Sequence, residues 1–300
     1  MKIGLLDIDG HNFPNLALMK ISSYHKSIGD SVEWVNHFNN YDIVYQSKIF
    51  TYSSDNYHYI KCDNIIKGGT GYDYAIKLPE NIDNVSPDYS LYSQFTEAYG
   101  FLTRGCPRKC EWCIVPKKEG NIVPYRDIEE VAKDRGKVIL MDNNILACEY
   151  GISQIEKIIK LKIKVDFNQG LDARLITPSV AKLLAQVKWI RFIRTSCDTI
   201  VNLKSVEKAL INLNEAGIKN YRIFVYVLLQ NIEDSFYILN WLKEKGCTPF
   251  AQPYRSFDNK AIPQWQSDMA QWVNKKSNFM SCDFKEYRPR KRFICNEYFN

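Results

Sequence analysis

The stretch Ala98-Tyr99-Gly100-Phe101-Leu102-Thr103-Arg104-Gly105-Cys106-Pro107-Arg108-Lys109-Cys110-Glu111-Trp112-Cys113 decides the reading of the chain. It opens as an apolar strand, Ala98–Thr103, and ends in a loop with three cysteines spaced C-x3-C-x2-C. Three thiolates on one short loop can hold three irons of a four-iron cluster and leave the fourth iron open. An open iron can bind and cleave a substrate, whereas a fully ligated cluster mainly carries electrons. Two blander readings compete with this one. Zinc usually takes four ligands, often as two separated C-x2-C pairs. Here no second pair exists and no histidine follows closely. Inert buried cysteines are common, but these three are set among Pro107, Arg108, Lys109 and Glu111.

Outward from this strand, strand and helix patterns alternate six times. The strand candidates are Ala98–Thr103, Val138–Asp142, Lys164–Asn168, Trp189–Arg194, Tyr221–Leu228 and Thr248–Gln252. Between them, one helix begins with Thr177 as N-cap and Pro178 at its first position. Another carries Leu203, Val206, Leu210 and Leu213 on one stripe and stops at Gly217. A third, with Phe236, Leu239, Trp241 and Leu242, stops at Gly246. A complete eightfold barrel needs about 250 residues, and only six units fit. The expected fold class is therefore α/β, with a partial (β/α)6 TIM-type barrel over residues 96–255. A C-terminal extension, 256–300, holds one helix, Pro263–Asn274, and would lie across the open side or the barrel mouth.

Upstream, residues 1–95 read as a small doubly wound, Rossmann-like domain followed by a linker. Lys2–Leu6 is a strand ending at Asp7, and Asn15–Ile28 is a helix stopped by Gly29. Ser31–Val35, Asp42–Tyr45 and Asn64–Ile66 are further strands, the last leading into Gly68-Gly69-Thr70-Gly71. Strand, helix, strand in this order favours an open parallel sheet. Residues 79–96, with Pro79, Pro87 and many Asp, Asn and Ser, read as linker.

Composition excludes several classes. Apolar residues at 45% supply a core, so the chain is not disordered. No apolar run reaches the ~18 residues of a membrane helix, and the opening Met1-Lys2-Ile3-Gly4-Leu5-Leu6-Asp7 is too short and too quickly acidic for a signal peptide. Nine scattered cysteines do not make a secreted disulfide scaffold. A cytoplasmic location suits free thiols and an iron–sulfur cluster alike. The net charge of +6 is modest. One basic cluster, Lys285, Arg288, Arg290, Lys291 and Arg292, is either a solvated tail or a phosphate-contacting surface for nucleic acid.

In parallel βα barrels the functional residues gather at the carboxyl ends of the strands. Those ends are Asp142-Asn143-Asn144, Gln169 to Arg174, Arg194 to Asp198, Val227 to Gln230, and Gln252 with Tyr254. They are far more polar than the strands before them, as a ligand site requires.

The loop Cys106-x3-Cys110-x-Trp112-Cys113 resembles the cluster loop of the radical S-adenosylmethionine (SAM) superfamily, whose pattern is C-x3-C-x-aromatic-C. Ile114-Val115-Pro116 and Glu119-Gly120 resemble its branch of methylthiotransferases and cobalamin-linked enzymes. Asp-Gly-His-Asn-Phe-Pro-Asn, Lys-Gly-Gly-Thr-Gly-Tyr and Gln-Gly-Leu-Asp-Ala-Arg are similar to runs in an uncharacterised two-domain group of that superfamily, over almost the whole chain. The resemblance implies one [4Fe-4S] cluster on Cys106, Cys110 and Cys113. It also implies SAM at the open iron, a flavodoxin- or ferredoxin-type electron donor, and a 5′-deoxyadenosyl radical acting on an unknown substrate. The SAM ammonium group would take Asp142 or Asn143 as acceptors. Its carboxylate would take Arg174 or Arg194, although Arg174 could instead pair with Asp172. Its ribose suits Ser196, Asp198 or Asn143, Gln169 lies in the same strand-end set, and Trp112 offers a face for adenine.

The N-terminal domain resembles a cobalamin-binding domain with departures. Asp9 and His11 keep that family's Asp-x-His, while Pro14 replaces its glycine. Ser47-Lys48-Ile49 stands for S-x-L, and Gly68-Gly69 for its glycine pair. His11 would then lie at cobalt, with Gly68 and Gly69 near a nucleotide tail. The alternative is a shrunken domain without the ligand. Methylthiotransferases use extra N-terminal cysteines, and here only Cys62 is present. The rival functions are a cobalamin-dependent methyltransferase, a nucleic-acid modification enzyme, a metal-stapled nucleic-acid-binding module and a redox sensor.

Overall fold

The computed structural model describes residues 1–256 and 261–300. The fold is mixed α/β with parallel sheets, and the chain divides into two compact units, Met1–Tyr99 and Gly100–Asn300.

The first unit contains β1 (Lys2–Asp7), α1 (Leu16–Ser27), β2 (Ser31–Trp34), β3 (Asn40–Ser47) and β4 (Lys61–Gly68). The four strands are parallel, in the order β2-β1-β3-β4. Asn15 caps α1 by accepting from the Leu18 N–H, which satisfies one of the donors left over at a helix start. Gly29, at φ +87°, ends the helix in a conformation that other residues adopt at a cost. One sheet face buries Ile3, Leu5, Leu18 and Ile21, and a second cluster forms around Tyr41, Val44 and Ile60. β3 and β4 both extend beyond the expected strands.

Residues 79–96, expected as linker, are instead pinned to the first unit. They contain α2 (Glu80–Asp83) and a 3-10 turn, Tyr89–Tyr92. Lys20 bonds Asp83 at 2.7 Å, Lys26 bonds Asp88 at 2.7 Å, and the fully buried Tyr92 donates its hydroxyl to Asp7 at 2.9 Å. Composition reads these Asp and Ser residues as loop, but they serve as partners for cations on α1.

The second unit begins at the end of β5 (Ala98–Gly100). The expected strand Ala98–Thr103 breaks at Phe101–Leu102. Its second half is β6 (Thr103–Arg104), which pairs antiparallel with β7 (Val123–Pro124) and brackets the cysteine loop. Two short helices, α3 (Val115–Lys118) and α4 (Ile128–Ala132), follow the loop. Then come β8 (Lys137–Leu140), α5 (Glu149–Leu161), β9 (Lys164–Phe167) and α6 (Pro178–Gln186). The remaining elements are β10 (Lys188–Trp189), β11 (Ile193–Ser196), α7 (Leu203–Glu215), β12 (Ile223–Leu229), α8 (Ile232–Glu244), β13 (Thr248–Pro253), α9 (Gln264–Asn274) and α10 (Lys276–Ser281). One sheet has the order β10-β9-β8-β5 and another β11-β12-β13. The expected strand Trp189–Arg194 is thus two strands in two sheets. A parallel bridge, Leu171 to Thr195, ties the loop after β9 to β11. The Leu171 N–H donates to the Arg194 carbonyl at 2.8 Å, and the Thr195 hydroxyl donates to the Leu171 carbonyl at 2.8 Å.

Asn274 on α9 bonds both the N–H and the carbonyl of Ala251, each at 2.9 Å. A side-chain amide here replaces a neighbouring strand and blunts the sheet edge. The basic cluster is partly consumed inside the fold. Arg290 bonds Asp268 at 2.6 Å and Tyr298 at 3.1 Å, and Lys285 lies over the Phe236 and Phe299 rings. Arg290 is thus engaged with an aspartate, while the side chain of the exposed Lys285 meets only rings among the described residues. No helix among the described residues is long and apolar enough to cross a membrane.

Candidate metal centre

The cysteine loop is held from both ends. Before it, Asp142 at the end of β8 is almost fully buried and accepts from the Leu102 N–H at 3.0 Å, the Thr103 N–H at 2.5 Å and the Thr103 hydroxyl at 2.7 Å. Behind it, Glu119 accepts from Arg104 at 2.6 Å, from the Gly105 N–H at 3.0 Å and from Asn143 at 2.7 Å. Gly105 sits at φ +81°, and a Cβ there would come within 2.3 Å of the Asn121 carbonyl. Only glycine lets the chain pass so close to that segment. The Asp142 carboxylate is therefore engaged by the protein as a brace of the loop, where the sequence suggests an acceptor for a ligand, and Asn143 braces it through its N–H donor.

The three thiols interact electrostatically, Cys110 with Cys106, and Cys113 with both. Burial pushes the Cys110 and Cys113 thiols up. Cys106 Sγ accepts from the Arg108 N–H at 3.4 Å and from Asn144 Nδ2 at 3.5 Å. Asn144 also donates to Asp172 at 3.1 Å. Its Oδ1 is buried and has no hydrogen-bond partner among the described residues. Asp172 accepts from Arg108 at 2.9 Å and from Arg174 at 2.6 and 3.0 Å. Burial works to raise the Asp172 carboxyl, yet the two guanidinium groups hold it below the usual range. Arg174 itself lies within electrostatic reach of Cys106 and Cys110. Asp198 interacts with Cys110 and Cys113, is raised by burial, and accepts from the Leu228 N–H at 3.1 Å and from Ser196.

The two candidate arginines differ. Arg174 pairs with Asp172 in the loop bridge left open by the sequence, at a partly exposed position beside the thiols. Arg194 is committed elsewhere, with Nε and Nη2 on the buried Asp166 at 2.6 and 2.7 Å and Nη1 on Tyr226 at 3.1 Å. It cannot grip a ligand carboxylate without abandoning a buried partner. Trp112 is half-buried and Gln169 exposed. The pairing of Asp172 with Arg174 is legible in the sequence, whereas the contacts of Asn144, Glu119 and Arg108 are not. Their signal was position alone, at strand ends or within the loop.

Among the described residues no group of three or more His, Cys, Asp or Glu side chains is gathered closely enough for a metal ion. A four-iron cube asks for something different, since its thiolates bind separate corners and stand further apart than the ligands of one ion. The three thiols are half-buried on one loop and N–H donors reach the Cys106 sulfur, a donor set of the kind that can hold such a cluster.

The first unit fits a corrin poorly. The His11 ring stacks on Trp34 at 4.1 Å. Asp9 accepts from the Ile49 N–H and the Ser53 hydroxyl, each at 2.5 Å. Ser47 accepts from the α1 cap Asn15 at 2.9 Å. A Cβ on Gly69 would lie 2.3 Å from the Lys48 carbonyl, while Gly68 has only Ile76 near its Cβ position, at 3.8 Å. Gly69 and Gly71 therefore pack against the protein's own backbone at Lys48, which does not fit a nucleotide tail along Gly69.

No family model matches the chain, and no curated protein matches it.

Proposed function

We propose that the chain is a radical SAM enzyme acting on a substrate yet to be identified, with Cys106, Cys110 and Cys113 holding one [4Fe-4S] cluster. The observation that carries this reading is convergence. Asn144, Asp172, Arg174 and Asp198, from beyond the ends of three different strands, share the surroundings of three thiols on one loop. We propose with it the finer architecture, a Rossmann-like unit followed by a partial (β/α)6 barrel. Seven strands in two parallel sheets, with helices in most of the connections, support that description.

A reduced cluster with an open iron would supply the electron that splits SAM into methionine and a 5′-deoxyadenosyl radical. The protein's share is binding, orientation and exclusion of water. The unpartnered Oδ1 of Asn144 suits the ammonium group of SAM. Arg174 keeps its Asp172 pair and still stands beside the thiols, which suits the carboxylate. The N–H donors on Cys106 would stabilise negative charge on a cluster sulfur and so raise its reduction potential. A cytoplasmic setting and a flavodoxin- or ferredoxin-type donor belong to the same proposal.

The test is anaerobic reconstitution with iron and sulfide, then incubation with SAM and a strong reductant. Release of 5′-deoxyadenosine by the wild type and its loss in Cys110→Ala is the expected result. Zinc-loaded protein without that product would instead favour a binding module, and a cluster that cycles redox states without consuming SAM would favour a sensor.

A further inference from the structure

β4 is anomalous for a strand in a parallel sheet. Such sheets are normally covered on both faces, and their crossovers are normally helical. Here the connection from β3 to β4, residues 48–60, contains no helix. Ile65 is 42% exposed and Ile66 is 40% exposed. Successive strand residues point to opposite faces, so both faces are partly open. β4 is also the edge of its sheet. An open edge with isoleucines on both faces invites pairing with another strand.

The backbone sets which residues face outward. The Lys48 N–H bonds the Gly68 carbonyl, and β3 pairs with β4 in the register Val44 to Ile65 and Ser47 to Gly68. In a parallel ladder this phase turns the peptide groups of Asn64, Ile66 and Gly68 toward β3. Those of Asp63, Ile65 and Lys67 then point at the open edge. An antiparallel twin can bond only where outward residues meet outward residues. Centred on Asn64, it would set Lys61 against Lys67. Centred on Ile65, it sets Ile65 against Ile65 and Asp63 against Lys67 twice. All three of these side chains are exposed. Opposite charges across an antiparallel pair stabilise it, and like charges oppose it.

We infer that two copies of this chain pair through β4, antiparallel about a twofold axis at Ile65, so that two four-stranded sheets become one. Lys67 holds Asp55 of its own chain at 2.9 Å and would then lie between two carboxylates. This assembly is independent of any cluster chemistry.

The experiment is sedimentation equilibrium on the full chain, on Asp63→Lys, on Lys67→Asp, and on the two variants mixed in equal amounts. The wild type is expected to be a dimer. Each variant alone sets like charges opposite each other twice and should dimerise about tenfold more weakly or worse. The mixture pairs Lys with Asp at both places and should recover the dimer. A monomeric wild type would overturn the inference. So would a dimer that neither substitution weakens, or a mixture no better associated than its parts.

Discussion

Asp142 shows how a site residue can be found by sequence and still be given the wrong partner. Its position at a strand end marked it as polar and functional, while its carboxylate is spent on Leu102 and Thr103. Burial pushes its carboxyl up to about 6, against the pull of those donors. The folded chain therefore binds this proton more tightly than the unfolded chain, whose aspartates titrate near 3.9. The contribution of Asp142 to stability is fully present at low pH and is lost as pH rises from about 4 to about 6. The unfolding free energy of wild type minus that of Asp142→Asn should accordingly fall by on the order of 3 kcal/mol over this window and stay level above it. Urea unfolding at a series of pH values reads that difference, and a difference that stays level throughout would refute the assignment. Asn144 is the converse case. Nothing in its residue type separates it from Asn143, and only packing leaves one amide on Glu119 and the other on Cys106.

At the level of elements, the cap and stop signals are local and were legible. Thr177 caps α6 by accepting from the Val180 N–H at 3.3 Å, with Pro178 at the first position. Thr177→Ala should cost about 1 kcal/mol in chemical denaturation. Gly69 is a different kind of glycine, at φ +96° with the Lys48 carbonyl where a Cβ would go. Gly69→Ala should cost more than the lost cap, about 2 kcal/mol or above, and hydrogen exchange should quicken first in β3 and β4. A loss smaller than that of Thr177→Ala would mean that the loop moves aside. Two strands were misread because pairing, rather than composition, ends them. Leu102 turns its N–H to Asp142. Ile190 gives its N–H to Val165, and three residues later Ile193 pairs with Ile223. Cys148, which as a singleton reads as a core or site-wall residue, caps α5 through its sulfur, which accepts from the Gly151 N–H at 3.4 Å.

For the whole molecule, the bridge between Leu171 and Thr195 ties the loop after β9, from one sheet of the second unit, to β11 in the other. Thr195 is almost fully buried, so Thr195→Val preserves shape and removes only the hydroxyl donor. Stability should drop by about 1–2 kcal/mol with an unchanged denaturant slope. A changed slope would instead mean that the two sheets unfold apart. The sequence by itself determined the alternation of strands and helices, their caps and the cysteine spacing, because periodicity, turn chemistry and loop length act over a few neighbouring residues. Tertiary structure alone decided that Arg194 meets Asp166, where a strand changes sheets, and that residues 79–96 are pinned to the first unit. It also decided that the glycines after β4 fit against Lys48. Each of these choices depends on hydrogen-bond partners and packing space supplied by residues far away in the chain, and no local pattern records them.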